Sequence, residues 1–242
     1  MSARDRYGCI SEIDLADPSS WEGRIFLTFD IDWANDEVFA DTIDMVEPYG
    51  VKATWFITHE TPLIERLRAN PNFEIGIHPN FNFLLSGDGR NGADAEEVVD
   101  RLLALVPEAR AVRSHALVQG TPLIKLFIDK GLTHDSNDFI PETTGLEVRP
   151  WPWFGLVKAP YFWEDGIYCA NEASSPIAEL LARPGLRIFD FHPIHVFLNS
   201  ESMDRYNEAR PDFRDAARLL TRRNEDGVGA RTLLRALLEA GA

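Results

Sequence analysis

The sequence predicts a single α/β domain built on a mainly parallel sheet, either a barrel or an open doubly wound sheet. Short apolar, β-rich runs alternate with helical segments along most of the 242 residues. Repeated strand–helix–strand units fold with right-handed crossovers, which makes neighbouring strands parallel. The chain has no linker-like segment that would divide it, and α/β barrels of about 250 residues often form one domain.

The first half of the chain alternates most regularly. Residues 1–22 are polar and lack periodicity, so we interpret them as an N-terminal arm that precedes a domain over residues 23–242. Strands are predicted where apolar, β-rich residues run together, and helices where apolar residues recur at helical spacing. The elements predicted in this half are strands over 24–29, 52–58, 73–77 and 109–113, and helices over 36–49, 62–69 and 94–106.

The second half continues the pattern with one interruption. A helix over 122–130, a strand over 132–136, a late strand over 186–191 and helices over 213–223 and 228–240 are predicted. Ser175 and Pro176 are expected to open a further helix, as its N-cap and its first helical residue. Residues 137–175 break the rhythm because they are rich in proline, glycine and aromatic residues. Their aromatic runs, 151–154 and 161–163, are interpreted as a packed lid over the barrel or, alternatively, as a surface on which sugar rings stack.

Composition and charge exclude several partners. The chain carries 24 Lys and Arg residues against 39 Asp and Glu, a net charge of −15, which disfavours nucleic acid and anionic membrane surfaces. No run approaches the roughly 18 apolar residues of a membrane-spanning helix, and the N-terminus lacks the apolar core of a secretory signal. We therefore expect no stable membrane insertion and a cytoplasmic location with Cys9 and Cys169 reduced.

Metal-ligating residue types follow the predicted strands. Active sites of parallel α/β folds lie at the carboxyl ends of the strands. Asp30 and Asp32 follow the first strand and share a face if the strand stays extended. Together with the histidines named below, these two carboxylates predict a site for a divalent ion of the zinc, cobalt, nickel, manganese or iron group. The alternative is that the two carboxylates cap a helix. All six histidines fall in or just after a predicted strand: His59, His78, His115, His134, His192 and His195.

Several short segments occur in an order that resembles a known family. The segments are T-F-D-I-D-W, A-T-W-F-I, F-E-I-G-I-H, V-R-S-H, D-S-N-D and F-D-F-H-P. Over about residues 24–198 the chain resembles the polysaccharide deacetylase (NodB homology) domain of carbohydrate esterase family four, and within it the WbmS-like branch. The resemblance implies a distorted (β/α) barrel of about seven parallel strands. It also implies a metal-dependent hydrolase that removes an N-acetyl group from a sugar or saccharide, in surface-polysaccharide (O-antigen) biosynthesis.

The family's motifs imply three catalytic roles. Asp30 matches the general base, in the D-x-D form of the first motif. Arg113 matches the arginine that orients this base. His192 matches the histidine that protonates the leaving amine. The implied mechanism is metal-assisted hydrolysis of an amide, which yields a free amino sugar and acetate.

The same motifs imply a set of metal ligands, with zinc as the first expectation. Asp32 matches the metal-binding aspartate, and His78 matches the first histidine of an H-x-x-x-H motif. Asn82 occupies the position of the second histidine and is the first expectation for the third ligand. The alternatives for that ligand are other histidines at strand ends: His59, His115 and His195.

Two other functions are compatible with the same residues. One is hydrolysis of another C–N bond, of the cyclic amide or allantoin type, on the same barrel. The other is carbohydrate binding without catalysis, in which case the protein would hold no metal ion.

Overall fold

A nine-stranded sheet forms the centre of the protein. The computed structural model describes residues 6–171 and 174–241. In spatial order the strands are β6, β7, β5, β4, β3, β2, β1, β9 and β8, and every neighbouring pair is parallel except β6 and β7. The strands are β1 (Ile25–Asp30), β2 (Ala53–Ile57), β3 (Phe73–Ile77), β4 (Ala111–Val112), β5 (His134–Asp135), β6 (Trp151–Trp153), β7 (Leu156–Lys158), β8 (Trp163–Glu164) and β9 (Arg187–Phe191).

Helices connect successive strands of the sheet. They are α1 (Asp36–Val46), α2 (Leu63–Ala69), α3 (Asn82–Leu85), α4 (Ala95–Leu105), α5 (Thr121–Asp129), α6 (Asp165–Asn171), α7 (Ile177–Ala182), α8 (Pro193–Leu198), α9 (Met203–Ala209), α10 (Ala216–Leu220) and α11 (Ala230–Gly241). The sheet curls into a half-barrel, so the predicted barrel-type parallel α/β fold is confirmed. It has eight parallel strands, where about seven were expected. No helix in the described ranges is long and apolar enough to cross a membrane.

The strands in the middle of the sheet are apolar because both of their faces are covered. Every residue of β1 and of β2 is buried, as in parallel sheets with helices on both sides. The register aligns Asp30 with Phe56 and Ile77 with Val112. The carboxyl ends of β1, β2, β3 and β4 therefore lie along one edge of the curled sheet, and the residues that follow them meet there.

The segment interpreted as an N-terminal arm packs against the opposite edge. Tyr7, Ile10 and Ile13 are buried. The Gly8 N–H donates to the carbonyl of Ile25 at 3.0 Å, and the Tyr7 hydroxyl donates to the carbonyl of Leu237 at 2.7 Å. Contacts of this kind attach the described part of residues 1–22 to β1 and α11.

The interrupted segment 137–175 differs most from the sequence prediction. It contains three strands and α6. The turn at Phe154 and Gly155 precedes β7, so it lies at the amino end of the parallel strands. Trp153 and Phe154 are exposed there, away from the edge at which the first strands end. These two aromatic side chains therefore form neither a lid nor a sugar-stacking surface at the carboxyl edge, whereas residues 161–163 are buried in the core.

Two further helical predictions need correction. Pro176, not Ser175, is the N-cap of α7, so the proline lies one residue before the helix. The helix expected over 213–223 is shortened to α10. The helices α8 and α9, which follow β9, were not predicted.

Candidate active site

A single buried arginine organises the carboxyl edge of the sheet. Arg113 follows β4 and is fully buried. Its guanidinium donates to Asp30 Oδ1 at 3.0 Å and also to Asp190. The rings of Phe56 and Tyr161 lie against it, with their centroids 4.7 and 4.4 Å from its Cζ atom. Only a planar, multiply donating cation satisfies two carboxylates while packed between aromatic rings, which explains arginine rather than lysine here.

The two carboxylates that share this guanidinium have different surroundings. Asp30 ends β1 and lines a cavity of about 340 Å³, called the central cavity below. Asp190 lies in β9, is fully buried and accepts a hydrogen bond from Thr28 Oγ1 at 2.7 Å. Burial raises the pKa of Asp190 well above its ordinary value, and the positive charge of Arg113 opposes this shift only in part. Asp190 does not line the central cavity, so Asp30 is the carboxylate that Arg113 holds towards it.

An aspartate and two histidines converge on the other side of the central cavity. Asp32 Oδ1 lies 3.4 Å from His78 Nε2 and 3.0 Å from His115 Nδ1. The two imidazole nitrogens are 3.3 Å apart. Burial alone would raise the pKa of Asp32, but hydrogen bonds from His115 and His78 hold it well below its ordinary value. The cluster therefore keeps a carboxylate and two imidazoles directed at one point.

This cluster has the spacing of metal ligands. Ligands about 2.0–2.1 Å from a tetrahedral zinc ion lie about 3.3 Å from one another, and the three separations here are 3.0, 3.3 and 3.4 Å. His78 Nδ1 is buried, has no hydrogen-bond partner among the described residues and lies 3.5 Å from Asp30 Oδ2. A carboxylate behind a metal-binding imidazole commonly fixes its orientation. The residues thus fit a divalent ion.

The backbone turns sharply to bring these ligand atoms together. The strand β1 ends at Asp30, and Asp32 has a φ of 38° and Trp33 a φ of 54°, so the extended D-I-D geometry expected from the sequence stops at the first aspartate. After β4, Ala116 has a φ of 53° beside His115. Such left-handed conformations in residues other than glycine often occur at functional sites. The helix-capping alternative is excluded, because Asn35 caps α1 through its side chain.

A histidine and a buried aspartate form a pair at the end of β9. His192 Nδ1 lies 2.7 Å from Asp165 Oδ1, and the His192 N–H donates to Asp165 Oδ2 at 2.7 Å. Burial alone would lower the pKa of His192, but the Asp165 carboxylate raises it well above its ordinary value. His192 Nε2 faces Asp32 Oδ2 at 3.8 Å. An imidazole held in its protonated form therefore borders the central cavity.

The remaining predicted residues lie outside the Asp32 cluster. Asn82 begins α3, where its N–H donates to Asn80 Oδ1, and it does not line the central cavity. His59 Nδ1 lies 2.8 Å from Thr58 Oγ1 and lines a separate cavity. His195 is buried on α8 and stacks on Tyr206.

His134 lies within β5 instead of after it. Its Nε2 atom is 2.9 Å from the carbonyl oxygen of Ile13, in the N-terminal segment. Of the alternatives for a third ligand, only His115 joins the cluster with Asp32 and His78.

Three acidic residues of the site were not recognised in the sequence. Asp165 begins α6, Asp190 is the aspartate of the F-D-F-H-P segment, and Glu164 ends β8. Glu164 lines the central cavity, and its carboxylate accepts a hydrogen bond from Tyr161 Oη at 2.9 Å. Burial raises the pKa of Glu164 above its ordinary value. The F-D-F-H-P segment could have revealed Asp190, because it places a carboxylate inside an apolar strand, where a charge needs a partner.

Comparison with known proteins gives a consistent result. The chain matches the WbmS-like polysaccharide deacetylase family over residues 27–210. It is 43% identical to WbmS of Bordetella bronchiseptica, a proposed polysaccharide deacetylase involved in O-antigen biosynthesis, with 99% of each chain covered and a TM-score of 0.92. No protein with a curated description matches.

Two more distant structures are also similar. A family 4 carbohydrate esterase from Streptomyces lividans in complex with acetate is 13% identical, with 90% of this chain and 88% of the esterase covered and a TM-score of 0.48. A proposed polysaccharide deacetylase from Mycobacterium smegmatis is 18% identical, with 95% and 92% covered and a TM-score of 0.48.

The fold, the site and the family match together define a polysaccharide deacetylase, an enzyme that hydrolyses an amide bond. The resemblance drawn from the short sequence segments is thereby confirmed. The chain belongs to the WbmS-like polysaccharide deacetylase family.

Proposed function

We propose that this deacetylase removes the N-acetyl group from a sugar or saccharide with the help of a bound divalent ion, zinc in the first instance. The observation that carries the proposal is the convergence of Asp32, His78 and His115 within 3.0–3.4 Å of one another, beside an arginine-held carboxylate and a protonated histidine. The similarity to WbmS, whose description includes O-antigen biosynthesis, supports a role in assembling a surface polysaccharide.

Asp32, His78 and His115 would hold the ion. His115 takes the place that the family motif gives to Asn82, because its Nδ1 atom is 3.0 Å from Asp32 Oδ1, whereas Asn82 does not line the central cavity. A divalent ion bound there would supply Lewis acidity for an amide carbonyl and for a water molecule.

Asp30 acts as the general base. It lines the central cavity, and its Oδ1 atom accepts the hydrogen bond of Arg113 at 3.0 Å. That bond fixes the carboxylate, so Asp30 Oδ2 is left to take a proton from an attacking water molecule. His78 Nδ1 lies 3.5 Å from the same oxygen, which limits the positions that Asp30 can adopt.

His192 acts as the general acid. Its Nδ1 atom is engaged by Asp165, so the proton that it delivers to the leaving amine comes from Nε2, which faces Asp32 across the central cavity. Burial alone would lower the pKa of His192, but the carboxylate of Asp165 raises it. Base and acid thus border one cavity, as amide hydrolysis requires.

Metal analysis tests the ligand assignment. Protein purified without chelator is expected to hold stoichiometric metal, and Asp32→Ala and His115→Ala are each expected to lose it, because each removes one of three ligands. Asn82→Ala is the matched control and should retain metal. Loss of metal from Asn82→Ala together with retention by His115→Ala would restore the motif position as the third ligand.

Acetate release tests the reaction itself. A panel of N-acetyl sugars, both nucleotide-linked and within saccharides, is incubated with the metal-loaded protein and with Asp32→Ala. Release by the parent and not by the variant is expected. A protein that holds no metal and releases no acetate would instead be a carbohydrate-binding relative.

A further inference from the structure

A second, apolar cavity adjoins the central cavity. It has a volume of about 350 Å³ and lies among α1, α8, α9 and the residues before α10. Its apolar walls include Val38, Ile194, Met203, Tyr206 and Phe213. We call it the apolar cavity. The function proposed above does not use it.

Away from the reacting groups, two polar side chains on the wall of the apolar cavity, Asn35 and His195, are already engaged. Asn35 Oδ1 accepts from the Val38 N–H and Asn35 Nδ2 donates to the Phe213 carbonyl, both at 2.9 Å. His195 stacks on Tyr206, with ring centroids 4.8 Å apart, and its Nδ1 atom lies 3.7 Å from Cys169 Sγ. A sugar ring placed here would lose water from its hydroxyl groups and gain few partners. An aliphatic group suits the apolar cavity better.

The two cavities meet at the proposed reacting groups. Asp32, Glu164, Ile167 and His192 line both of them. An amide bound between Asp32 and His192 therefore borders the apolar cavity. On the other side, Glu164 and Ile167 also line a larger cavity of about 580 Å³.

That larger cavity offers the groups that a sugar needs. Its wall includes the carboxylate of Glu142 and the aromatic ring of Tyr168. Carboxylates accept hydrogen bonds from hydroxyl groups, and aromatic rings pack against the apolar face of a sugar. Glu142 and Tyr168 thus offer a sugar contacts that Val38, Ile194 and Phe213, on the wall of the apolar cavity, do not offer.

We propose that the apolar cavity binds the acyl chain of the substrate and that the enzyme prefers acyl groups longer than acetyl. The inference rests on the proposed deacylase function and names its substrate class more narrowly. An acetyl group would place one methyl there, which is about as large as a water molecule, roughly 30 Å³. The apolar cavity has a volume of about 350 Å³, so several methylene groups have room.

Hydrolysis of 4-nitrophenyl acetate and 4-nitrophenyl butyrate by the metal-loaded protein tests this inference without knowledge of the sugar. Each buried methylene is worth about a four-fold gain in kcat/KM, so butyrate is expected to exceed acetate by about 15-fold. Asp32→Ala should hydrolyse neither ester. If the parent hydrolyses neither ester in an Asp32-dependent way, the proposed function fails and this inference fails with it. If hydrolysis depends on Asp32 but acetate is preferred, only the inference on chain length is overturned.

A matched pair of variants locates the effect. Ala170 is exposed on α6 and lines the apolar cavity, so Ala170→Leu should reduce the ratio of butyrate to acetate hydrolysis to a few-fold. Ala182→Leu, on the exposed face of α7, should leave the ratio at the parent value. If Ala170→Leu instead changes only the discrimination between an N-acetyl sugar and its 6-deoxy analogue, the cavity binds the sugar and the acyl assignment is wrong.

Discussion

At the scale of single residues, the hydrogen bond from Arg113 to Asp30 predicts how Asp30→Asn changes metal content and rate. Asp30→Asn keeps the shape of the side chain, and its amide can still accept from Arg113, which donates at 3.0 Å in the parent. The asparagine cannot take a proton. We expect metal content to stay near the parent level and the rate of deacetylation to fall by about 10²–10⁴-fold, the range for one acid–base group.

Rate and metal content, measured together, check this assignment. Asp32→Ala should lose both, whereas Asp30→Asn should lose mainly the rate. Parent-level turnover by Asp30→Asn would remove Asp30 from the role of base.

The pairing of His192 with Asp165 predicts a shift in the pH profile. The acid must be protonated, so activity falls as pH rises through the pKa of His192, which Asp165 raises against the effect of burial. Asp165→Asn removes that charge and should move the alkaline limb of kcat/KM to lower pH. The acid limb, assigned to the base, should stay in place. An unchanged alkaline limb in Asp165→Asn would show that another group acts as the acid.

The sequence predicted the residues of the site better than their contacts. Asp30, Asp32, His78 and Arg113 meet at the carboxyl edge because motif order fixes which strand each follows. Asn82 was the first expectation for the third ligand, and the structure instead brings His115 to Asp32. That contact depends on the left-handed turns after β1 and β4, which strand periodicity does not reveal.

At the scale of secondary-structure elements, Asn199 secures the helix that follows His192. It is the C-cap of α8, with a φ of 50°. Its side chain donates to the carbonyls of Asn224 and Gly227 at 2.8 and 3.0 Å and accepts from the Thr232 N–H at 3.2 Å. One side chain thus ties α8 to the beginning of α11.

Two replacements of Asn199 distinguish the stability contributed by its side-chain hydrogen bonds from the cost of its left-handed backbone. Asn199→Gly loses the side-chain bonds but tolerates the left-handed backbone, and about 2 kcal/mol of the free energy of unfolding should be lost. Asn199→Ala adds roughly 1–2 kcal/mol of left-handed strain. Urea unfolding of the two variants measures the difference. Equal stability of the two would mean that strain at this C-cap is negligible.

Long apolar strands were predictable from the sequence, whereas short elements were not. The strands β1, β2 and β3 are within one residue at each end of their predicted ranges, because each is rich in apolar residues, most of them buried. The helix α8 has six residues and is buried along nearly its whole length, so no polar face marks its period. The hairpin of β6 and β7 begins with Trp-Pro-Trp, and a proline inside a run argues against a strand unless it is at an edge.

At the scale of the whole molecule, the two edges of the sheet use histidine in opposite ways. At the carboxyl edge, His192 is held in its charged form. At the other edge, His134 Nε2 bonds to the Ile13 carbonyl and its Nδ1 atom lies 2.8 Å from Thr133 Oγ1. Both contacts of His134 suit a neutral imidazole that donates from Nε2 and accepts at Nδ1. Burial lowers the pKa of His134 accordingly.

Because the pKa of His134 is lowered and that of His192 is raised, the two histidines change the stability of the fold with pH in opposite directions. A buried histidine with a lowered pKa stays neutral in the folded protein while the unfolded chain takes up a proton, so His134 destabilises the fold as pH falls through about 6.5, the unfolded value. His192, whose pKa is raised in the folded protein, has an effect of opposite sign at higher pH: its contribution is fully present below about 6.5 and is lost as pH rises through the folded-state pKa. The pH dependence of the free energy of unfolding therefore contains both contributions, and a variant is needed to measure either one.

His134→Gln isolates the contribution of His134. Glutamine can still donate to the Ile13 carbonyl but does not titrate, so the free energy of unfolding should fall less between pH 7 and pH 5 in the variant than in the parent. Tyr7→Phe is the control at the same edge of the sheet, since burial raises the pKa of Tyr7 to about 12. Loss of its bond to Leu237 should cost about 1 kcal/mol at both pH values. Urea unfolding at the two pH values measures all three proteins. If His134→Gln lost as much stability as the parent on acidification, the acid sensitivity of the fold would have to come from another buried group.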